Sequence, residues 1–177
     1  MIGPAYAQTM ARYNRWQNRS LYAAAEGLLD TDRQADRGAF FGSIEATLNH
    51  LLWGDRTWMS RFADAPRPTA PNIPASVTEC ESWTRLKQDR EEMDRDIIRW
   101  ADALTEDRLA GDLSWFSGAT QRDVTKPLWV LVTHFFNHQT HHRGQIHAML
   151  TACGAKPDDT DLFLLPDEYW QTDHHNS

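Results

Sequence analysis

The chain has 177 residues, enough for one domain around one core. Hydrophobic residues make up 41% of it, too many for a disordered chain. The net charge of -7, from 18 Lys+Arg against 25 Asp+Glu, opposes a surface that tracks phosphates, so no nucleic-acid partner is expected. The longest apolar runs, such as Leu128 to Val132, are too short to span a bilayer. The start Met1-Ile-Gly-Pro-Ala-Tyr lacks the charged and apolar regions of a signal peptide. Cys80 and Cys153 are isolated, without a CxxC, which fits a reducing cytosol better than a disulfide scaffold. A cytoplasmic location follows as the expectation. The eight Trp are expected in the core and in pocket walls.

In chain order, Tyr6, Met10, Tyr13, Gln17, Leu21, Ala24 and Leu28 recur every three or four residues and predict a first helix from about Ala5 to Leu29. Asp30 to Gly38 is polar and reads as a loop. Ser43 is a plausible N-cap for a second helix to Phe62, with Ile44, Leu48, Leu51, Met59 and Phe62 as its apolar stripe. Pro66, Pro68, Pro71 and Pro74 then enforce an extended connection, because proline lacks the amide proton a helix interior needs. Ser76-Val-Thr-Glu79 has the form of a capping box and predicts the start of a third helix. Its stripe is Trp83, Leu86, Met93, Ile97, Trp100 and Leu104, and the charged run through Arg90, Glu91, Glu92, Asp94, Arg95 and Asp96 reads as a solvated face. Ala110 to Thr125 loses the helical period and reads as a short hairpin or a loop. Pro127 suits the first turn of a fourth helix and Gly154 its end after Cys153. Leu162-Phe-Leu-Leu is expected to pack back across the bundle. The predicted fold is all-α, a four-helix bundle with an irregular or hairpin segment before the fourth helix, in a single domain over 1–170. A polar tail, 171–177, follows, in which His174 and His175 read as a frayed end.

Five of the eight histidines fall in Thr133-His-Phe-Phe-Asn-His-Gln-Thr-His-His-Arg-Gly-Gln-Ile-His147. With His134 at zero and about 100° per residue, Leu131 and Met149 lie near 60°, His138 near 40° and His142 near 80°. His138 and His142 therefore point inward, one turn apart, with His134 and His141 near the edge of that face. His147 lies on the opposite side, near Trp129. Two buried imidazoles need partners. One divalent metal satisfies both, since His at i and i+4 can ligate one ion from one helix face; a hydrogen-bonded pair of core histidines is the other reading, and HxxxH alone favours it. A third ligand must come from elsewhere. His50 is the candidate inside a helix, but it lies off the centre of its helix's apolar stripe, beside the small Thr47 and Gly54. Spacing alone leaves a ligand and an exposed histidine equally open.

Two segments together carry a family resemblance. These are Gly42-Ser-Ile-Glu-Ala-Thr-Leu-Asn-His50-Leu-Leu-Trp-Gly-Asp55-Arg-Thr-Trp58 and Asn137-His-Gln-Thr-His-His-Arg-Gly-Gln145. Their order and separation, with four helices, resemble the DinB/YfiT-like superfamily of metal-dependent helical bundles over nearly the whole chain. The resemblance implies a four-helix bundle with a three-histidine metal site: His50 from the second helix, and His138 and His142 from the fourth. It implies a divalent ion, nickel or zinc first. Some members of the superfamily are transferases that use bacillithiol or isomerases that use mycothiol, and many have no assigned activity. A homodimer is also implied, together with the high Trp content.

Three neutral imidazoles would leave coordination positions open, as in catalytic rather than structural sites. A bound ion would lower the pKa of a water or thiol, making hydroxide or thiolate available near neutral pH. His134, His141, Asn137 and Gln145 are candidates for orienting the ligands. Asp55 is not expected to ligate directly. Gly144, costly inside a helix by roughly 1 kcal/mol relative to Ala, suggests a close helix approach. The leading expectation is a metal-dependent transferase acting on a small molecule, with a low-molecular-weight thiol as partner. The alternatives are a metal-dependent hydrolase and a non-catalytic metal or small-ligand binding protein of the stress response. No catalytic residue beyond the ligands is assigned.

Overall fold

Four long helices form where apolar residues recur at helical spacing in the sequence. The computed structural model describes residues 1–118 and 120–170. The tail at 171–177, with His174 and His175, lies outside the described residues. Helix α1 (Pro4–Glu26) begins on proline, whose missing N–H is not needed in a first turn. A short helix, α2 (Asp30–Gln34), occupies part of the stretch expected to be a loop. Its buried Arg33 donates to the Leu28 and Ala25 carbonyls at the end of α1 (2.6 and 3.2 Å). Helix α3 (Ile44–Phe62) opens on Ser43, whose Oγ accepts from the Ala46 N–H at 3.1 Å. Then come α4 (Trp83–Asp102) and the single turn α5 (Glu106–Ala110). The segment left as hairpin or loop is an antiparallel hairpin of β1 (Asp112–Ser117) and β2 (Arg122–Pro127), in register from Asp112 opposite Pro127 to Ser117 opposite Arg122. Helix α6 (Leu128–Ala152) ends where Gly154 takes a φ of +79°. There the Gly154 and Ala155 N–H groups donate back to the Thr151 and Leu150 carbonyls, a pattern that needs the left-handed conformation glycine tolerates.

Three sequence expectations are overturned here. The third helix does not start at Ser76-Val-Thr-Glu79. That segment is a 3-10 turn (Pro74–Thr78), and α4 is capped by Ser82, whose Oγ accepts from Arg85 N–H at 3.2 Å. Ser76 and Glu79 are engaged elsewhere: Glu79 accepts from the Thr69 and Ala70 N–H groups (3.0 and 2.7 Å) and from Arg56 (2.7 Å). Nor is the charged run of α4 wholly a solvated face. Arg90 and Asp94 are each 2% exposed, because they fall in phase with the buried stripe of Leu86, Met93, Ile97 and Ala101. The Leu162-Phe-Leu-Leu segment also differs from expectation. Phe163 is 84% exposed and only Leu165 is buried. The chain is held along α1 instead by backbone groups, with Tyr13 Oη donating to Thr160 O, Gln17 to Asp159 O, and Asp158 N–H to Ser20 Oγ.

Helices α1, α3, α4 and α6 form the bundle, α1 and α3 each packing on both α4 and α6. Cross-helix pairs give the directions. Asp55 meets Arg90 and Phe62 meets Trp100, so α3 and α4 run parallel. Asn14 with Asp94 and Arg12 with Asp102 make α1 antiparallel to α4. Phe62 with Phe135 and Asp55 with Gln139 make α6 antiparallel to α3. Parallel neighbours cannot be joined by a short turn, so the chain between Phe62 and Trp83 must return along the length of α3. The prolines keep it extended. Side chains on one face of α3 fasten it: Trp53 Nε1 donates to Ala70 O (2.7 Å), Arg56 to Glu79, and Asn49 Oδ1 accepts from Cys80 N–H (2.8 Å).

A polar layer crosses the core midway. Arg90 donates to Asp55 Oδ2 at 2.6 Å and lies 2.8 Å from Asp94 Oδ1. Gln139 donates to Asp55 Oδ1 at 3.0 Å, Asn14 and Asn18 donate to Asp94 at 3.2 and 2.9 Å, and Arg143 donates to Asn14. Burial works against the Arg90 charge, but Asp94 and Asp55 more than offset it and hold its pKa above the ordinary value. Removing the guanidinium leaves two buried carboxyl groups, whose pKa values burial already raises, without their counter-charge. Arg90→Met should therefore lower unfolding stability by about 3–5 kcal/mol, whereas Arg95→Met on the exposed face should stay within about 0.5 kcal/mol. Urea unfolding followed by circular dichroism checks this, and matching midpoints for the two variants would contradict it.

Candidate metal centre

Three imidazoles meet on the side of the α3–α6 interface away from the polar layer. His50 comes from α3, and His138 and His142 from successive turns of α6. One ring nitrogen from each lies within 4.8 Å of the others, and the group can hold a metal ion. The ring centroids are 5.4 Å apart for His50 and His138, 4.8 Å for His50 and His142, and 4.5 Å for His138 and His142. His50, whose exposure the spacing left open, is only 4% exposed, and His142 is also buried. His138 is half-buried.

The surroundings keep these rings neutral. Burial, then the neighbouring His142, pushes the His50 pKa down to about 4. Burial and the other histidines push His138 down to about 3. His142 is lowered by burial, against which its hydrogen bond with Gln145 works. A neutral imidazole is the form that binds metal.

Hydrogen bonds orient two of the rings. His50 Nδ1 lies 2.7 Å from Ser76 Oγ, and His142 Nδ1 lies 2.8 Å from Gln145 Oε1. The third ring is seated by shape. A Cβ built on Gly54 would come within 2.8 Å of His138 Cε1, so only glycine leaves the ring its place one turn along α3 from His50. His138 Nδ1 is buried and has no hydrogen-bond partner. A buried polar atom left unsatisfied is costly. That orphan nitrogen, the glycine cradle and three neutral nitrogen donors all fit a transition-metal ion.

Of the residues proposed from the sequence to orient the ligands, Gln145 is the one hydrogen-bonded to a ring of the group, that of His142. His134 instead sets its ring edge-on to Trp58 (5.3 Å) and 6.0 Å from His138, while His141 packs its exposed ring 4.9 Å from His142. Asn137 is exposed. Asp55 is held by Arg90 and Gln139 on the far side of the helix pair and is not part of the three-histidine group. Gly144 does not mark a close approach: it is exposed, with nothing within 4 Å of where its Cβ would be. The tight contact is at Gly54. Ser76 was missed because its spacing to Glu79 matched a helix cap.

Aromatic rings wall the site. Phe41, on a turn closed by an Ala39–Gly42 bridge, stacks on His50 at 3.8 Å, and Trp53 lies 5.7 Å from the same ring. Its neighbour Phe40 is 81% exposed. On the other flank, Trp115 of the hairpin meets Trp58 at 5.7 Å, with Arg61 over both rings. No helix among the described residues is long and apolar enough to cross a membrane.

The model of the family described as "DinB family" matches residues 1–173. Protein DinB of Bacillus subtilis (strain 168) is 26% identical over 170 residues, an alignment covering 90% of this chain and 94% of that protein. No solved structure gives a significant match. With the helical bundle and the three-histidine group in place, the match over nearly the full length means that the chain belongs to the DinB family.

Proposed function

We propose that this chain is a metal-dependent enzyme that holds one divalent ion, nickel or zinc, on His50, His138 and His142 and transfers a small thiol to a small-molecule substrate. The observation that carries the metal assignment is the convergence of three neutral imidazoles, with the His138 ring seated against Gly54. When bound, such an ion supplies Lewis acidity and brings the pKa of a coordinated thiol or water toward neutrality.

The chain's own side chains support an external nucleophile. Burial, only partly offset by Arg56, pushes the Cys80 thiol up to about 12, and its Sγ lies 3.5 Å from Asp89. Cys153 Sγ donates to the Met149 carbonyl at 3.0 Å. The Cys80 thiol is therefore not an activated thiolate, and neither cysteine belongs to the three-histidine group. The three-histidine group includes no carboxylate to serve as a general base. The ion itself would activate a coordinated thiol or water, so thiol transfer stands as the leading reading and hydrolysis as the alternative, separated by whether turnover requires a thiol. Phe41 and Trp53 on one flank, and Trp58 and Trp115 on the other, offer apolar surface to the substrate and limit access of water.

Untagged protein should carry about one transition-metal ion per chain by elemental analysis. Metal that binds only the folded state raises its melting temperature. The wild type and His147→Ala should show that rise, and His142→Ala should hardly shift. A metal-dependent shift kept by His142→Ala and lost by His147→Ala would overturn the assignment.

Gly54→Ala separates the ligand from the helix. The added methyl displaces the His138 ring, so zinc affinity should fall about 10- to 100-fold, the range for changes that disturb a ligand's orientation. The metal-free protein should meanwhile hold its stability or gain up to about 1 kcal/mol from the better helix former. Competition with a chromophoric chelator and a melt in chelator give the two readouts. Unchanged affinity would show that His138 is not a ligand.

The reaction class is tested by screening electrophilic small molecules with the metal-loaded protein, with and without low-molecular-weight thiols. Turnover that requires a thiol is the expected result. Turnover without one would replace transfer by hydrolysis.

A further inference from the structure

We propose that Ser76, on the crossover between α3 and α4, is a positioning residue that fixes the tautomer of His50 and so determines which of its nitrogens is free to bind a metal. The consequence for metal binding rests on the function proposed above; the tautomer itself does not.

A neutral imidazole has one N–H and one lone pair, and the hydrogen bond at one nitrogen decides which form is present. A serine hydroxyl has a single proton to give. Ser76 Oγ gives it to the Ile73 carbonyl, 2.6 Å away. A carbonyl oxygen cannot donate, so the direction of that bond is settled. Ser76 is fully buried, so water does not compete. What Ser76 Oγ then offers His50, at 2.7 Å, is a lone pair, and His50 Nδ1 must carry the hydrogen. The reverse arrangement would set two acceptor oxygens 2.6 Å apart with no proton between them. His50 therefore presents Nε2 as its lone-pair nitrogen.

The hydroxyl is held in place by backbone. The Ile73 carbonyl also accepts from the Ser76 N–H at 3.1 Å, and Asn72 Oδ1 accepts from the Ala75 N–H at 3.0 Å, closing the turn that opens the 3-10 segment. The turn reaches α3 because the crossover is fastened on either side of it, at Ala70 by Trp53 and at Cys80 by Asn49. His142 has the same arrangement by another route: Gln145 Oε1 accepts from its Nδ1, leaving Nε2 free. Two of the three ligands are thus set in one tautomer before any ion arrives, by residues with no other role in the site.

The test uses the untagged, metal-free protein with 15N-labelled histidine, kept in chelator at pH 7.5. Long-range proton–nitrogen correlation spectra distinguish the two tautomers, and the His50 signals are assigned by their absence from His50→Gln. The expected wild-type result is a single Nδ1–H pattern for His50. Ser76→Ala should lose that pattern toward the Nε2–H form or an averaged one, with the His142 pattern unchanged, and should bind zinc about 10- to 100-fold more weakly. A wild-type His50 in the Nε2–H or averaged form overturns the proposal. So does a Ser76→Ala protein that keeps the Nδ1–H pattern and binds zinc within twofold of wild type. If Ser76→Ala fails to fold, the wild-type spectrum decides alone. An intact Nδ1–H pattern in a wild type that binds no zinc or nickel upholds the Ser76 assignment and overturns the metal reading.

Discussion

A guanidinium in the middle of a helical bundle must bring its counter-charges with it. Arg90 is such a group, and the two carboxylates it requires come from different places: Asp94 from its own helix and Asp55 from α3. Asn14 and Asn18 tie Asp94 to α1, while Gln139 ties Asp55 to α6. Every helix of the bundle contributes to one layer, and each group in it tolerates few other positions of its neighbours. An apolar interface can slide by a turn at modest cost, but a buried charge separated from its partner cannot. The layer therefore sets the register between α3 and α6, and with it the distance from His50 to His138 and His142. Asp55 lies about one and a half turns after His50, and Gln139 directly follows His138.

The crossover between α3 and α4 follows from the directions of the helices. Two parallel neighbours leave the chain at the wrong end, and it has to travel back. This return strand has little regular structure of its own, so its backbone polar groups need partners elsewhere. Its own Glu79 accepts from the Thr69 and Ala70 N–H groups, while from α3 Trp53 donates to the Ala70 carbonyl and Asn49 accepts from the Cys80 N–H. A connection forced by topology thereby becomes one wall of the site, and the hydroxyl of Ser76 arrives beside His50 as part of that wall.

Much of this was legible in the sequence, for identifiable reasons. The helices were marked by periodic apolar residues, and the end of α6 by a glycine that the backbone requires to be left-handed. The inward face of His138 and His142 followed from the helical phase of Leu131 and Met149. His50 did not follow from phase, because it sits off the apolar stripe of α3 and is buried by the crossover and Phe41 rather than by the bundle core; the family resemblance singled it out. The polar layer was hidden by composition. Arg90 and Asp94 lie in a run of six charged residues that looks solvated, although stepping by three or four from Leu86 to Ile97 lands on both. Ser76 was hidden by a coincidence of spacing, since serine and glutamate three apart describe a helix cap and also describe two residues of a turn with separate partners. The close approach suggested by Gly144 is found instead at Gly54, whose small size beside His50 the sequence showed without the ring that fills the space.

The separation of the three histidines along the chain has a consequence for the unfolded protein. His138 and His142 are four residues apart, whereas His50 lies far upstream on another helix. An unfolded chain therefore brings only the pair from α6 together at short range, and the group of three exists only when α3 and α6 are packed. A ligand that required all three nitrogens would distinguish the folded chain from the unfolded one, and its binding would add to the stability of the fold.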